Sequence, residues 1–317
     1  MNNVRKIAVL MGGPGSERDV SLATARGVAK ALRSLGKEVI EVDVRNDKFE
    51  LPPGTDLAFI AIHGTFGEDG QLQQILENRG IAYTGDGVDP SRAAFDKILS
   101  KEKFRAGRVN TPEWEVIRSG TRPSIPVPLV VKAPRQGSTV GVVIVKTESE
   151  LDLALGEAGK YDNELLIEKF VPGRELTIGI LGDQALPIIE IIPKGGFYDF
   201  KNKYPFLNPQ SGAGATHVCP AKIDPDKTSE IQQLALKAHR ALGLEVYSRV
   251  DVILPADGEP TVLEANTIPG MTEASLLPEA AAAAGISYVD LCQQIINLSL
   301  LRQGSGGPAR ARTERAK

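Results

Sequence analysis

Two alternating apolar runs, 248–254 and 261–266, folded about Asp257-Gly258, restrict this chain more than any other stretch. Asp-Gly between such runs is a strong hairpin signal. A turn centred there sets Asp251 opposite Glu264 and Arg249 opposite Asn266. Residues two apart share a strand face, so these four polar side chains lie on one surface. Val250, Val252, Leu254, Leu263 and Ala265 cover the other. Facing carboxylates repel, and a cation between them relieves the repulsion. Oxygen ligands, including the Asn266 amide, suit Mg²⁺ better than zinc. The same pattern also reads as a surface hairpin with a solvated polar face.

The rest of the chain alternates strands and helices. Lys6 to Met11 reads as a strand, followed by a helix in which Ser16 and Asp19 have capping-box spacing. Glu38–Val44 and Asp56–Ile62 read as strands and Gln71–Arg79 as a helix, giving a parallel-sheet domain to about residue 90. A charged helix spans Ser91–Arg105. Leu129–Ala133 and Val140–Lys146 form a hairpin around a Gly-Ser loop, and Leu165–Phe170 and Leu176–Leu181 are further strands. Lys194–Ala215 has no periodicity, and loops of that length are functional or disordered. A helix over Asp224–Leu242, the hairpin and a final helix over Ser287–Leu301 follow. The Gly-rich, basic tail 303–317 reads as disordered.

With 317 residues there is room for two or three domains with cores. A net charge of -3 leaves no footprint for nucleic acid or an anionic membrane. Two cysteines make a disulfide framework or zinc site improbable. With no signal-peptide pattern and no membrane-spanning run, a cytoplasmic location is expected.

Four loops carry candidate chemistry. In Lys132-Ala133-Pro134-Arg135-Gln136-Gly137-Ser138 a strand lysine precedes small residues whose N–H groups can cradle phosphate, or the segment is an ordinary turn. Around Glu168-Lys169-Phe170-Val171 and Glu175, a free strand edge can bind adenine while a carboxylate holds ribose, or the two acids are solvated surface groups. His63-Gly64 follows a buried strand, where α/β sheets place ligands, or the histidine merely caps local backbone. Gly12-Gly13-Pro14-Gly15-Ser16-Glu17 fails the dinucleotide fingerprint, because Arg18 replaces its third glycine. It does offer a helix N-terminus for a carboxylate and Glu17 for an ammonium, as an amino acid requires.

Together, Gly-Gly-x-x-x-Glu, His-Gly-x-x-Gly-Glu-Asp-Gly, Val-Lys-x-x-x-x-Gly-Ser-x-Val-Gly, Phe-Tyr-Asp and Leu-Glu-Ala-Asn-Thr-x-Pro-Gly-Met-Thr resemble the D-alanine–D-alanine ligase family of the ATP-grasp superfamily. The resemblance runs from about Lys6 to Leu301. It implies an α/β (α+β) ATP-grasp fold with an N-terminal domain (1–90), a central domain (91–176) and a C-terminal domain (177–302) carrying a mobile loop about 194–215. It also implies ATP as co-substrate, two Mg²⁺ ions (Mn²⁺ as a substitute), D-alanine as small-molecule substrate and a homodimer.

By resemblance, Glu17 and His63 flank the first D-alanine, and Lys97 and Lys132 neutralise phosphates. Glu168, the Lys169 and Val171 backbone and Glu175 hold adenosine. Lys203 and Tyr204 lie in the covering loop, with Tyr204 reaching Ser138. Arg249 and the Gly270 N–H stabilise an oxyanion; Asp251, Glu264 and Asn266 bind magnesium; Ser275 and Leu276 meet the second D-alanine. Departures at Ala133, Pro134, Gln74, Arg92 and Phe95 remove no group that the chemistry needs. Removing Arg249 is expected to impair turnover while sparing the fold. Tyr204 favours D-alanine over D-lactate as second substrate; relatives using D-lactate or D-serine and a non-catalytic nucleotide binder are the alternatives.

Overall fold

The computed structural model describes residues 4–193, 215–256 and 258–306. Among them, the N-terminal strands form a parallel sheet of order β2-β1-β3-β4, from β1 (Lys6–Gly12), β2 (Glu38–Val44), β3 (Leu57–Ile60) and β4 (Ala82–Tyr83). Its helices are α1 (Arg18–Ser34) and α2 (Gln71–Asn78). The Ser16–Asp19 capping box does not form. Glu17 is the N-cap residue, at φ -93 and ψ 19, and its side chain makes no capping bond. That conformation is outside the extended region from which a side chain reaches back to the first turn.

The helix expected over Ser91–Arg105 is two helices, α3 (Val88–Phe95) and α4 (Lys97–Ala106). Asp96 is extended between them and accepts from the Ile98 and Leu99 N–H groups at 2.9 and 3.3 Å. An aspartate that caps restarts the helix, and this puts Lys97 at its first position. A second sheet of order β5-β8-β6-β7 follows, from β5 (Trp114–Arg118), β6 (Leu129–Lys132), β7 (Val142–Val145) and β8 (Glu164–Lys169), backed by α5 (Glu148–Ala158).

The third sheet is antiparallel, of order β12-β11-β9-β13-β14, with β10 against β9. Its strands are β9 (Arg174–Leu181), β10 (Gln184–Ala185), β11 (Ile189–Pro193), β12 (Ala215–Val218), β13 (Tyr247–Leu254) and β14 (Thr261–Asn266). Helices α6 (Pro225–Ala241), α7 (Leu276–Ala283) and α8 (Tyr288–Gly306) complete it. Asp224 caps α6 through the Asp226 N–H, with proline at the favoured first position. Helix α8 runs through Gly304 rather than ending before it. Arg302 and Gln303 donate to the Gly85 and Tyr83 carbonyls at 3.0 and 2.9 Å, which pins its last turns. Residues 307–317 of the expected tail, and 194–214 of the expected loop, lie outside the described residues.

Core packing welds the first and third sheets. Val9 and Phe59 of the first, Val28 and Leu32 of α1, Leu277 of α7, Ile295 of α8 and Leu181 and Ile189 of the third belong to one buried cluster. Asp86 adds a polar staple, accepting from the Glu245 and Val246 N–H groups at 2.6 and 3.0 Å. Among the described residues, no helix is long and apolar enough to cross a membrane.

Two predictions follow from this packing. A methyl group on Gly67 runs into the Ile62 carbonyl oxygen; Gly67→Ala should therefore destabilise the protein by about 2–3 kcal/mol in urea unfolding. Burial raises the Asp86 carboxyl to about 6, despite the N–H donors and Arg302 that favour its anion. The native state thus holds the proton more tightly than the unfolded chain, so this stabilisation declines from about pH 4 to pH 6. Asp86→Asn should gain stability relative to wild type across that range, read from unfolding midpoints at matched pH.

Candidate functional site

The β13–β14 ladder pairs Asp251 with Glu264 and Arg249 with Asn266, the register expected from the sequence. A bulge follows: Val252 pairs with Val262, leaving Leu263 as the extra residue. A bulge re-aims the side chains beyond it. Leu263 therefore does not join Val250, Val252, Leu254 and Ala265 in the core, where Val262 is buried instead. Leu263 lines a cavity of about 390 Å³ with Ile253, Asp251 and Glu264.

That cavity lies between the second and third sheets. Val130, Val142, Ile144, Phe170 and Ile191 give it apolar walls, and Lys132, Ser138, Glu168 and Glu175 supply polar groups. A slot of this kind fits a flat ring with a few polar handles. Strand β8 is not the free edge expected: Glu168 pairs with Trp114 on one side and Val130 on the other. The Lys169 N–H is taken by the Glu113 carbonyl at 2.8 Å. The segment beyond the strand, with Phe170, Val171 and Gly173, lines the cavity.

Glu168 is 1% exposed and sits between two ammonium groups, Lys101 on Oε1 and Lys132 on Oε2, each at 2.5 Å. Burial opposes its ionisation, but the two lysines outweigh burial and hold the carboxyl below its usual range. Lys101 is a residue that sequence reasoning missed. Its signal was its position four residues after Lys97, hence on the same helix face. Burial pulls its ammonium down to about 8, although Glu168 favours the charge. For Lys132 burial also opposes charge, but Glu168 and Glu264 reverse it and raise the group.

A small cleft lined by Lys97, Gln136, Gly137, Ser138, Glu264 and Asn266 continues from the cavity. Lys97 donates to the Gln136 carbonyl at 2.8 Å and stands 3.8 Å from Glu264. Ser138 has φ +57, and its buried Oγ has no hydrogen-bond partner among the described residues. Lys203 and Tyr204, expected beside it, lie outside those residues.

Beyond the cleft stands Glu17, buried against two glycines. A Cβ on Gly64 would come within 2.9 Å of its Oε1, and one on Gly137 within 2.6 Å. His63 is 3% exposed, with Nε2 at 2.9 Å from Thr24 Oγ1 and Nδ1 at 2.9 Å from the Ile268 carbonyl. Burial disfavours its imidazolium, but Glu68 and Glu17 outweigh burial and the net shift is upward. Glu68 stands 3.6 Å from Nδ1 and also had no role assigned from sequence. The turn carrying Gly270 is tied to the same residues, since the Met271 N–H donates to Thr24 at 3.4 Å. Ser275 begins α7 and accepts from the Thr272 N–H at 3.1 Å. Leu276 is buried in the core, so its side chain faces away from solvent.

Arg249 holds Asp251 with two bonds, Nε to Oδ1 and Nη2 to Oδ2, both 3.0 Å, and Thr177 donates to Oδ1 at 2.6 Å. The expectation that Arg249 is dispensable to the fold is therefore revised. Its loss strips a largely buried carboxylate of its counter-charge. Asp251, Glu264 and the Asn266 amide form an oxygen-only donor set on one strand face. Among the described residues no group of three or more His, Cys, Asp or Glu surrounds a metal position. Few carboxylates plus a phosphate-bearing ligand is the arrangement that suits Mg²⁺, so the residues fit that ion.

Comparison with known proteins agrees with this geometry. Residues 104–297 match the family model described as D-ala D-ala ligase C-terminus. A D-alanine–D-alanine ligase of Methylacidiphilum infernorum is 46% identical over 303 residues, covering 96% of this chain and 98% of that one. The crystal structure of a D-alanine–D-alanine ligase from Bacillus anthracis complexed with ATP superposes with a TM-score of 0.83 at 34% identity, over 96% of this chain and all of the other. A D-Ala:D-Ser ligase from Enterococcus faecalis superposes at 0.81 with 26% identity, over 94% of this chain and all of its own. With a parallel N-terminal sheet, two antiparallel sheets and likeness along nearly its whole length, the chain belongs to the D-alanine–D-alanine ligase family.

Proposed function

We propose that this chain joins two D-alanines into D-alanyl-D-alanine with ATP and Mg²⁺, through an acyl phosphate, supplying a peptidoglycan precursor. The observation that carries the reading is continuity. One path runs from the apolar slot, past the paired carboxylates of the hairpin, to the Glu17–His63 end. The 41–46% identity of D-alanine–D-alanine ligases, against 26% for the D-serine enzyme, favours D-alanine as second substrate.

On this reading the slot takes the adenine ring, with Glu168 and the backbone of Lys169 and Val171 at its edge and Glu175 on the ribose. Lys97 and Lys132 neutralise phosphate oxygens at its mouth. Asp251, Glu264 and Asn266 would hold Mg²⁺, as two ions, and the metal would supply charge neutralisation during phosphoryl transfer. Glu17 takes the ammonium of the first D-alanine, whose carboxylate attacks the γ-phosphorus as ADP leaves. The amine of the second D-alanine then attacks the acyl carbonyl, phosphate departs and the amine loses a proton. The Gly270 N–H and Arg249 donate to the oxyanion. Two guanidinium N–H bonds hold Asp251, and the group has five such donors. Ser275 and the α7 N-terminus meet the second carboxylate.

An acyl phosphate hydrolyses in water, so a cover is required. We assign that role to 194–215, with Lys203 toward the phosphates and Tyr204 on Ser138. The Ser138 hydroxyl, which has no hydrogen-bond partner among the described residues, supports this assignment. Division into domains 1–90, 91–176 and 177–302, a homodimeric state, a cytoplasmic location and the absence of nucleic-acid or membrane partners belong to the same proposal and rest on the family likeness and the charge balance.

The test is phosphate release from ATP and Mg²⁺ with D-alanine, alone and with D-lactate or D-serine, with products read by mass. D-alanyl-D-alanine as the product with D-alanine, and as the main product in the mixtures, is expected. A depsipeptide or D-alanyl-D-serine as main product replaces the second substrate, and ATP binding without amino-acid-dependent turnover overturns the reading. Arg249→Ala should lower kcat by about 10²–10³-fold and also lower the unfolding midpoint. Full activity in that variant would remove Arg249 from the oxyanion site.

A further inference from the structure

Lys101 lies on α4, one turn beyond Lys97, and is 1% exposed. It stands behind Glu168, outside the cavity lining, whereas Lys132 is part of that lining. Its ammonium reaches Glu168 Oε1 and Thr111 Oγ1, each at 2.5 Å. Thr111 in turn donates to the Val262 carbonyl of β14 at 2.8 Å. The neighbouring Asn110 amide donates to the Pro260 carbonyl at 2.9 Å, and its carbonyl accepts from the Val262 N–H at 2.9 Å. One lysine thus connects a carboxylate of the second sheet to the hairpin of the third through a linker fixed at three points.

Lys132 and Lys101 differ in what a ligand can do to them. Lys132 faces the cavity, so a bound nucleotide competes with Glu168 for its charge. No ligand in the cavity reaches Lys101, and its charge stays with Glu168. A buried carboxylate without a committed counter-charge takes up a proton. Ionised, it is an acceptor only; protonated, it carries a donor as well. An acceptor-only group selects a purine with a 6-amino donor and rejects one with a 6-oxo acceptor, while a protonated carboxyl serves either.

We propose that Lys101 is a positioning residue that sets purine discrimination, by fixing Glu168 as an ionised acceptor at the inner end of the base slot. The inference rests on the proposed ATP site and assigns to a residue behind it the choice between 6-amino and 6-oxo purines. Thr111 and the hairpin carbonyl make that choice depend on the two sheets being docked.

The experiment compares kcat/KM for ATP and for ITP in the full chain with D-alanine and Mg²⁺. In Lys101→Met the ATP/ITP ratio should fall about tenfold or more, with KM for D-alanine little changed. In a Glu168→Gln background the same substitution should produce no further fall, because the path through Glu168 is already cut. Thr111→Val, which keeps the lysine charge and removes its anchor, should lower the ratio by a smaller factor and serves if Lys101→Met does not fold. A ratio that stays constant while both rates drop, or an equal fall in both backgrounds, overturns the role of Lys101 alone. A wild-type chain without turnover on ATP and D-alanine overturns the proposed function and this inference together.

Discussion

Asp251 and Glu264 face each other across the β13–β14 ladder, and the site is organised around relief of that repulsion. Like charges directly opposite in a sheet cost about 0.2–1 kcal/mol, whereas a hydrogen bond to a charged group contributes about 1.5–3. Arg249 and Thr177 together make three such bonds to Asp251, and Lys97 stands near Glu264. Compensation therefore exceeds repulsion before any ligand arrives. The two acids lie on one strand face, as oxygen donors for a cation require. One residue further on, the bulge turns Leu263 toward the cavity. A single strand pair thus supplies both the charged and the apolar parts of one wall.

The lysines obey a related rule. Lys97, Lys101 and Lys132 each stand beside a carboxylate in ground that burial makes hostile to charge. Lys101 and Lys132 share Glu168, and Lys97 stands near Glu264. In the proposed function, added phosphate charge would meet cations already set against fixed protein carboxylates, so little reorganisation would accompany binding. Arg135 continues the pattern at the loop's base, bonded to Asp96, Asp162 and Glu164 at 2.9, 3.0 and 2.7 Å.

The Glu17–His63 end has a different origin. His63 follows the N-terminal sheet, yet its ring bonds the Ile268 carbonyl of the segment after β14. Thr24 bonds both His63 and Met271. The contacts to Ile268 and Met271 span more than two hundred residues of chain, and they hold only because a common apolar core docks the first sheet on the third. Glycines at 64 and 137 then let the Glu17 carboxylate occupy the seam between two loops. Any side chain at either position would displace it.

Local chemistry was readable from the sequence. Alternation about Asp257-Gly258 gave the register of Asp251 with Glu264, because side-chain period and turn position suffice to set a ladder. Strand–helix alternation gave the parallel N-terminal sheet for a similar reason. Features that need a partner from elsewhere in the chain were not readable. One local cap was missed as well: Asp96 splits one apparent helix by accepting from the nearby Ile98 and Leu99 N–H groups. The bulge displaces Leu263, and β8 is an interior strand because β5 pairs along its other side. Lys101 gains meaning only when Glu168 and Thr111 meet it. Residue type and spacing alone determined the ladder register and the parallel N-terminal sheet, since alternation and turn position depend on near neighbours. Tertiary structure alone decided which charges face one another and how strongly each is held, because burial and long-range docking set those energies.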